Sequence, residues 1–366
     1  MTGTARFAGQ YESIEPQLTD GTIAVLNLQA QIEVLDRDVG LGNATTESRA
    51  GLIELITLRG LILGRIADYE RATEIAEQLV RDAPTDGEAF IARAQTHAVF
   101  HRFTDALDDV DRAEQLSVAA ETTNRERAAI FQALGRYDEA LAIRGEAAQR
   151  RANFENLAAL VGLYADQGEI EAAERVYADS RLQYRGVSPF PLALLDFQLG
   201  LAWIAEGRLE DARTSFDAAR RAVPAYAAAQ GHLAEVEAEL GEIESAVARL
   251  YSLVVSSDDP DYAAQLARIL EGAGRAPESR YWRRLAAARY DQLVASYPEA
   301  FADHAAEFWL AAGANPGKAF RLARMNVEVR KTPRAYDLLA QAVAANDGLR
   351  SGLCHDVTHE QLLRSV

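Results

Sequence analysis

The stretch Leu199-Gly200-Leu-Ala-Trp203-Ile-Ala-Glu-Gly207-Arg-Leu209-Glu-Asp-Ala212-Arg-Thr-Ser-Phe216-Asp-Ala-Ala219-Arg-Arg-Ala-Val-Pro224 decides the fold. It reads as two antiparallel helices joined by a tight turn at Gly207. Glycine takes the left-handed backbone conformation that a Cβ penalises, so it ends the first helix and lets the chain double back. Ala212 and Ala219 leave room for close helix approach. Trp203 and Phe216 fill the wedge between the two helices, and Pro224 closes the unit.

The same pattern recurs along most of the 366 residues. Aligned on the inter-helix turn, the copies fall at Ala67, His101, Gly135, Gly168, Gly207, Gly241, Gly274 and Gly313, spaced by 34, 34, 33, 39, 34, 33 and 39 residues. A ninth, degenerate turn is expected near Gly348. Five residues after most turns stands an alanine: Ala72, Ala106, Ala140, Ala173, Ala212 and Ala246. Two residues after most turns stands a Tyr, Phe, Leu or Ile, as in Gly135-Arg-Tyr137-Asp-Glu-Ala140.

These features resemble the tetratricopeptide repeat, a helix–turn–helix unit of 34 residues. The resemblance covers residues 50–345. It weakens where Ser279 and Lys318 take the second-helix alanine position and Arg283 takes the aromatic one. It implies an all-α fold, a right-handed α-solenoid of about eight to nine repeats, in which each unit buries its apolar face against its neighbours. The expected organisation is a flexible segment over 1–20, a capping helix over 21–48, the solenoid over 49–348 and a tail or capping helix over 349–366. Two intervals are five residues longer than the rest. One, around Tyr184-Arg-Gly186-Val-Ser-Pro189-Phe-Pro191, reads as a projecting loop, with Phe190 placed to shape a binding face. The other, Pro277 to Tyr297, lacks internal breakers and reads as a lengthened helix carrying Tyr281, Trp282 and Tyr290.

Composition narrows the function classes. The net charge of −17 disfavours nucleic acid, whose phosphates need clustered cations. It suits a neutral or basic partner. One cysteine, Cys354, excludes an internal disulfide. No apolar run is long enough to span a bilayer, and Met1-Thr-Gly-Thr-Ala-Arg-Phe does not read as a signal peptide. A cytoplasmic location is expected, with an exported one if a leader was removed. A monomer is expected, with dimerisation through an apolar solenoid end as the alternative.

Signals for chemistry are weak. Gly313-Ala-Asn-Pro-Gly317-Lys318-Ala319 is one residue short of a phosphate loop and lacks the Ser or Thr after the lysine. His359-Glu360 begins like a zinc-protease helix without its second histidine. Cys354, His355 and His359 are candidate metal ligands, since His at i and i+4 share a helix face, but no further ligand follows. No catalytic residue, cofactor or metal is therefore assigned.

The resemblance does place a binding surface. In such solenoids the first helix of each unit lines the concave face, at positions 2, 5, 6 and 9 when the turn is position 15. Early sets include Glu54, Leu58, Glu88, Gln95, Arg125, Glu126 and Gly162. The middle set holds Phe197, Gln198 and Leu201. The C-terminal third holds His232, Glu235, Asp261, Arg268, Asp303, His304 and Glu307. The Lys and Asn of a carboxylate clamp are missing, so a chaperone-tail adaptor is not expected. The expectation is a non-enzymatic scaffold that holds a polypeptide with apolar anchors and basic flanks. An accessory subunit presenting a substrate to an enzyme, or a metal-handling protein using the His-rich and acidic C-terminal region, is the alternative.

Overall fold

A computed structural model describes residues 17–363, and side chains over 17–348. Among the described residues there are eighteen helices and no strand. The opening helix α1 (Gly21–Gly40) buries Gly21, Ala24, Leu28 and Ile32. Eight helix pairs follow: α2 (Thr46–Leu63) with α3 (Ile66–Asp82), α4 (Gly87–Val99) with α5 (Phe103–Gln115), α6 (Ala120–Ala133) with α7 (Tyr137–Arg150), and α8 (Phe154–Asp166) with α9 (Ile170–Gln183). Then come α10 (Phe190–Ala205) with α11 (Leu209–Ala222), α12 (Ala227–Glu239) with α13 (Ile243–Ser256), α14 (Pro260–Gly272) with α15 (Ala276–Ser296), and α16 (Pro298–Leu310) with α17 (Pro316–Val329). The last helix, α18 (Pro333–Leu363), runs on through Gly348, so the ninth turn expected there does not form.

The packing follows the sequence logic. Gly200 lies against the Phe216 ring, where a Cβ would come within 2.5 Å of the ring edge. Ala72, Ala106, Ala140, Ala173, Ala212 and Ala246 are all buried. Six of the eight expected turns take the left-handed conformation where placed, His101 among them at φ 55°. Two are displaced. In the first unit the turn is Gly64 (φ 62°), three residues before Ala67. The chain crosses early at the residue without a Cβ, and α3 gains a turn in compensation. In the eighth unit the loop is wider and Ala314 (φ 47°), not Gly313, is left-handed. Asn315 then caps α17 by accepting from the Lys318 amide at 3.0 Å.

The lengthened second helix forms as expected: α15 has 21 residues against 14 in α11 and α13. The expected projecting loop is instead docked. Thr19 donates its amide to the Val187 carbonyl at 2.8 Å, and Leu18 packs near Phe154, Tyr184 and Leu192. Phe190 is buried in the core and shapes no free face. Residues 17–20 of the expected flexible segment are thus held, and residues 1–16 lie outside the described residues.

Repeat-level logic does not anticipate how the solenoid closes. The turn of each early unit rests on the loop that precedes the unit six places later. Gly21, at the start of α1, abuts Ala222 and Pro224. Beside the Gly64 turn, the Asp258 carboxylate accepts the first amides of α3, Ile66 N at 2.6 Å and Ala67 N at 3.1 Å, and Ser257 donates to the Gly64 carbonyl. At the next unit, His101 Nδ1 meets the Glu299 carbonyl at 3.0 Å and Phe100 stacks on Tyr297 at 4.3 Å. At the third, Lys331 N donates to Leu134 O at 3.3 Å and Arg330 Nε to Ala133 O at 3.2 Å. One hydrophobic cluster joins Leu28, Ile53 and Ile56 to Phe190, Val223 and Tyr226 across this seam. The superhelix therefore touches itself after six units, and its concave face becomes the wall of an inner channel.

Candidate functional site

The candidate groove residues lie on the inner helices, and most of them come together along the channel. In the first three units Gln95 donates to Glu126 at 3.1 Å, and Arg125 pairs with the same carboxylate at 3.1 Å. The Glu54 carboxyl is raised by burial, lowered by Arg125 and raised again by Glu126 and Glu88, which puts four groove positions within electrostatic reach. In the middle, Gln198 lies beside Gly162 of the preceding unit.

The C-terminal half carries a charged ladder. Glu235 accepts from Arg268 at 3.0 Å and meets His232 Nδ1 at 3.0 Å. Burial raises the Glu235 carboxyl, but His232 and Arg268 outweigh it and leave it below the ordinary value. Asp261 accepts from Gln265 at 2.7 Å and from the Tyr290 hydroxyl at 3.4 Å. Its carboxyl is pushed up, first by burial and then by Glu235 against the pull of His304. Asp303 pairs with Arg330 at 3.2 Å and Glu307 with Arg334 at 2.8 Å. His304 is raised chiefly by Asp303, with Glu307 and Asp261 adding to it. Its side chain is 45% exposed, yet burial still weighs on its protonation. A group that touches water while protein surrounds it has the environment of a channel wall.

The apolar part of the expected site is arranged differently. Phe197 is half-buried, with ring centroids at 5.2 Å from Tyr226, 5.5 Å from His232 and 5.6 Å from Phe216. Its ring belongs to the hydrophobic cluster that crosses the seam. Leu201, 37% exposed, is the apolar side chain of that set left open to the channel, next to exposed Gln198. The cause is the closure itself, which brings Leu55 and Leu58 of α2 into the cluster that holds Phe197.

Two features were not legible from repeat alignment. One is the seam and a cavity of about 360 Å³ beside it, lined by Thr96, His97, Phe100, Tyr297 and Glu299. The other is the commitment of the near-phosphate-loop lysine. Lys318 pairs with Asp291 and lies 3.9 Å over the Trp309 ring. Cys354, His355 and His359 lie on α18, and their side chains fall outside the described residues. Among the described residues no group of three or more His, Cys, Asp or Glu is placed to hold a metal, and no helix is long and apolar enough to cross a membrane.

No protein-family model matches the chain, and a search of curated proteins gives no match. Solved structures do resemble it. The human IFIT1 dimer with m7Gppp-AAAA aligns at 15% identity and TM-score 0.54, covering 86% of this chain and 76% of that one. The APC/C hetero-tetramer Cut9–Hcn1 aligns at 13% identity and TM-score 0.50, covering 87% of this chain. The present chain spans 54% of that second structure's chain. A tetratricopeptide repeat protein from Parabacteroides merdae aligns over 82% of this chain at 14% identity and TM-score 0.42. The fold is an all-α solenoid of tetratricopeptide-like helix pairs.

Proposed function

We propose that the chain is a non-enzymatic scaffold that binds a single polypeptide segment along its inner channel. The observation that carries this is the convergence of His232, Glu235, Asp261, Arg268, Asp303, His304 and Glu307 from three successive units onto one wall. Over the whole set of groove positions the carboxylates of Glu54, Glu88, Glu126, Glu235, Asp261, Asp303 and Glu307 outnumber the guanidinium groups of Arg125, Arg268, Arg330 and Arg334, so the segment carries basic residues, and Leu201 supplies an apolar contact beside them. IFIT1 is recorded with a capped RNA, a polyanion. Here Glu54, Glu88, Glu126, Glu235, Asp261 and Glu307 oppose such a ligand.

The test is fluorescence anisotropy with the full chain and three probes: a lysine- and leucine-containing peptide, its glutamate analogue, and a capped RNA tetranucleotide. Binding of the first is expected to weaken with salt. It should drop about tenfold in a Glu235→Gln/Asp261→Asn/Glu307→Gln variant with unchanged helicity, since losing a buried charge contact is worth about 1.4 kcal/mol or more. Equal or tighter binding of the RNA or of the glutamate peptide refutes the reading.

A further inference from the structure

The channel wall is acidic, but charge is segregated the other way on the outside of the last two units. Helices α15 and α17 together carry seven cations and three carboxylates, +4 on two helices of a chain whose net charge is −17. Most arginines elsewhere are spent in ion pairs within the solenoid. Arg280, Arg284 and Arg321 are exposed and, among the described residues, have no ion-pair partner. Arg324 is 67% exposed with only a 3.9 Å contact to Glu328.

Apolar groups stand among these cations. Tyr281 is 50% and Leu285 45% exposed, far above what burial against a neighbouring repeat would leave. They are four residues apart, as are Arg280 and Arg284, so each pair lies on one face of α15 and the two stripes run side by side. Beneath them Trp282 packs edge-on against Tyr251 and Tyr281, which fixes the Tyr281 ring in place. The Lys318–Asp291 pair sets the start of α17 beside the C-terminal third of α15. From Arg280 to Arg324 the strip then runs about 25 Å, roughly five turns of a docked helix.

We infer that this convex strip is a second interaction surface, and that its partner is a short acidic amphipathic segment of another protein. Its apolar side chains would sit on Tyr281 and Leu285, and its carboxylates would meet Arg280, Arg284, Arg321 and Arg324. Charge complementarity selects the sign of the partner. The overall charge selects its size. A bilayer or a nucleic-acid duplex brings the surrounding acidic surface within the Debye length of about 8 Å, whereas a short segment meets only the strip. The exposed Tyr281 and Leu285 favour a partner with apolar side chains over a bare polyanion.

The experiment is selection from a random peptide display library on the full chain, followed by anisotropy with the enriched peptides. Enriched sequences are expected to combine Asp or Glu with Leu, Phe or Trp at i, i+4 spacing. Their affinity should fall at least tenfold in Arg280→Glu/Arg284→Glu and in Leu285→Asp, with circular dichroism unchanged. It should not move in Glu307→Gln, which lies in the channel, so the outcome is independent of the channel reading. No enrichment, peptides without acidic bias, or affinities unmoved by the α15 variants overturn the inference. Tighter, Arg284-dependent binding to phosphatidylserine vesicles or duplex DNA overturns it as well.

Discussion

Arg59 and Asp68 show how single side chains hold the two helices of one unit together. Arg59 donates to both carboxylate oxygens of Asp68, at 2.8 and 2.6 Å, and both residues are less than a tenth exposed. Its remaining nitrogen donates to Gln29 at 2.6 Å, which ties α1 to the same ion pair. Removing one partner of a buried pair strands the other charge. Asp68→Ala is therefore expected to destabilise the N-terminal units by about 3–5 kcal/mol. The measurement is the first transition in urea followed by circular dichroism; a shift of the last transition alone would contradict it. Gly200 tests packing rather than charge. A Cβ there would press on the Phe216 ring, and Gly200→Ala should cost about 1–3 kcal/mol despite alanine's better helix propensity, read as a lower melting temperature. Gly200 was legible because a small residue stands at its position in most siblings. Phe197 is on the expected helix, but Leu55 and Leu58 of its cluster come from a unit far away in sequence, which no repeat alignment brings to it.

At the scale of elements, helix boundaries followed local chemistry and failed only where two local solutions compete. The first turn moved from Ala67 to Gly64 because the glycine is free to take φ 62° and both flanking helices keep their buried faces when the crossing shifts. The eighth turn widened because Asn315 and Pro316 start α17 one residue late, as a capping residue and first-turn proline do elsewhere. The length of α15 was readable from the absence of breakers. The loop at 184–190 was misread for a different reason. Prolines and a glycine show that it is not helical, but not what lies on it. The Tyr184 hydroxyl donates to the Ser188 carbonyl at 2.5 Å and closes the loop, which then receives Leu18 and Thr19.

At the scale of the whole molecule, the seam closes one turn of the superhelix on itself, and it contains a titratable group. The His101 ring donates from Nδ1 to the Glu299 carbonyl, and it is pushed down to about 4, by burial first and by Arg330 next, with Asp303 opposing. A histidine lowered from 6.5 is neutral in the closed seam, whereas the open chain binds a proton. Its contribution is thus fully present above pH 6.5 and is lost as pH falls towards 4, by an amount on the order of 3 kcal/mol. Asp259, raised to about 6 by burial and then by Asp261, works in the opposite sense over pH 4–6, so the whole protein's pH profile does not isolate His101. His101→Asn does. Asparagine tolerates the left-handed backbone at this position and can still donate to Glu299, but it does not titrate. Hydrogen exchange over residues 64–67, 99–103 and 133–136 is expected to quicken in the wild type between pH 7 and pH 4.5, after correction for intrinsic rates. In His101→Asn that quickening should shrink markedly. If wild type and variant quicken in parallel, protonation of His101 is not what loosens the seam, and the acid sensitivity of these segments comes from other groups instead.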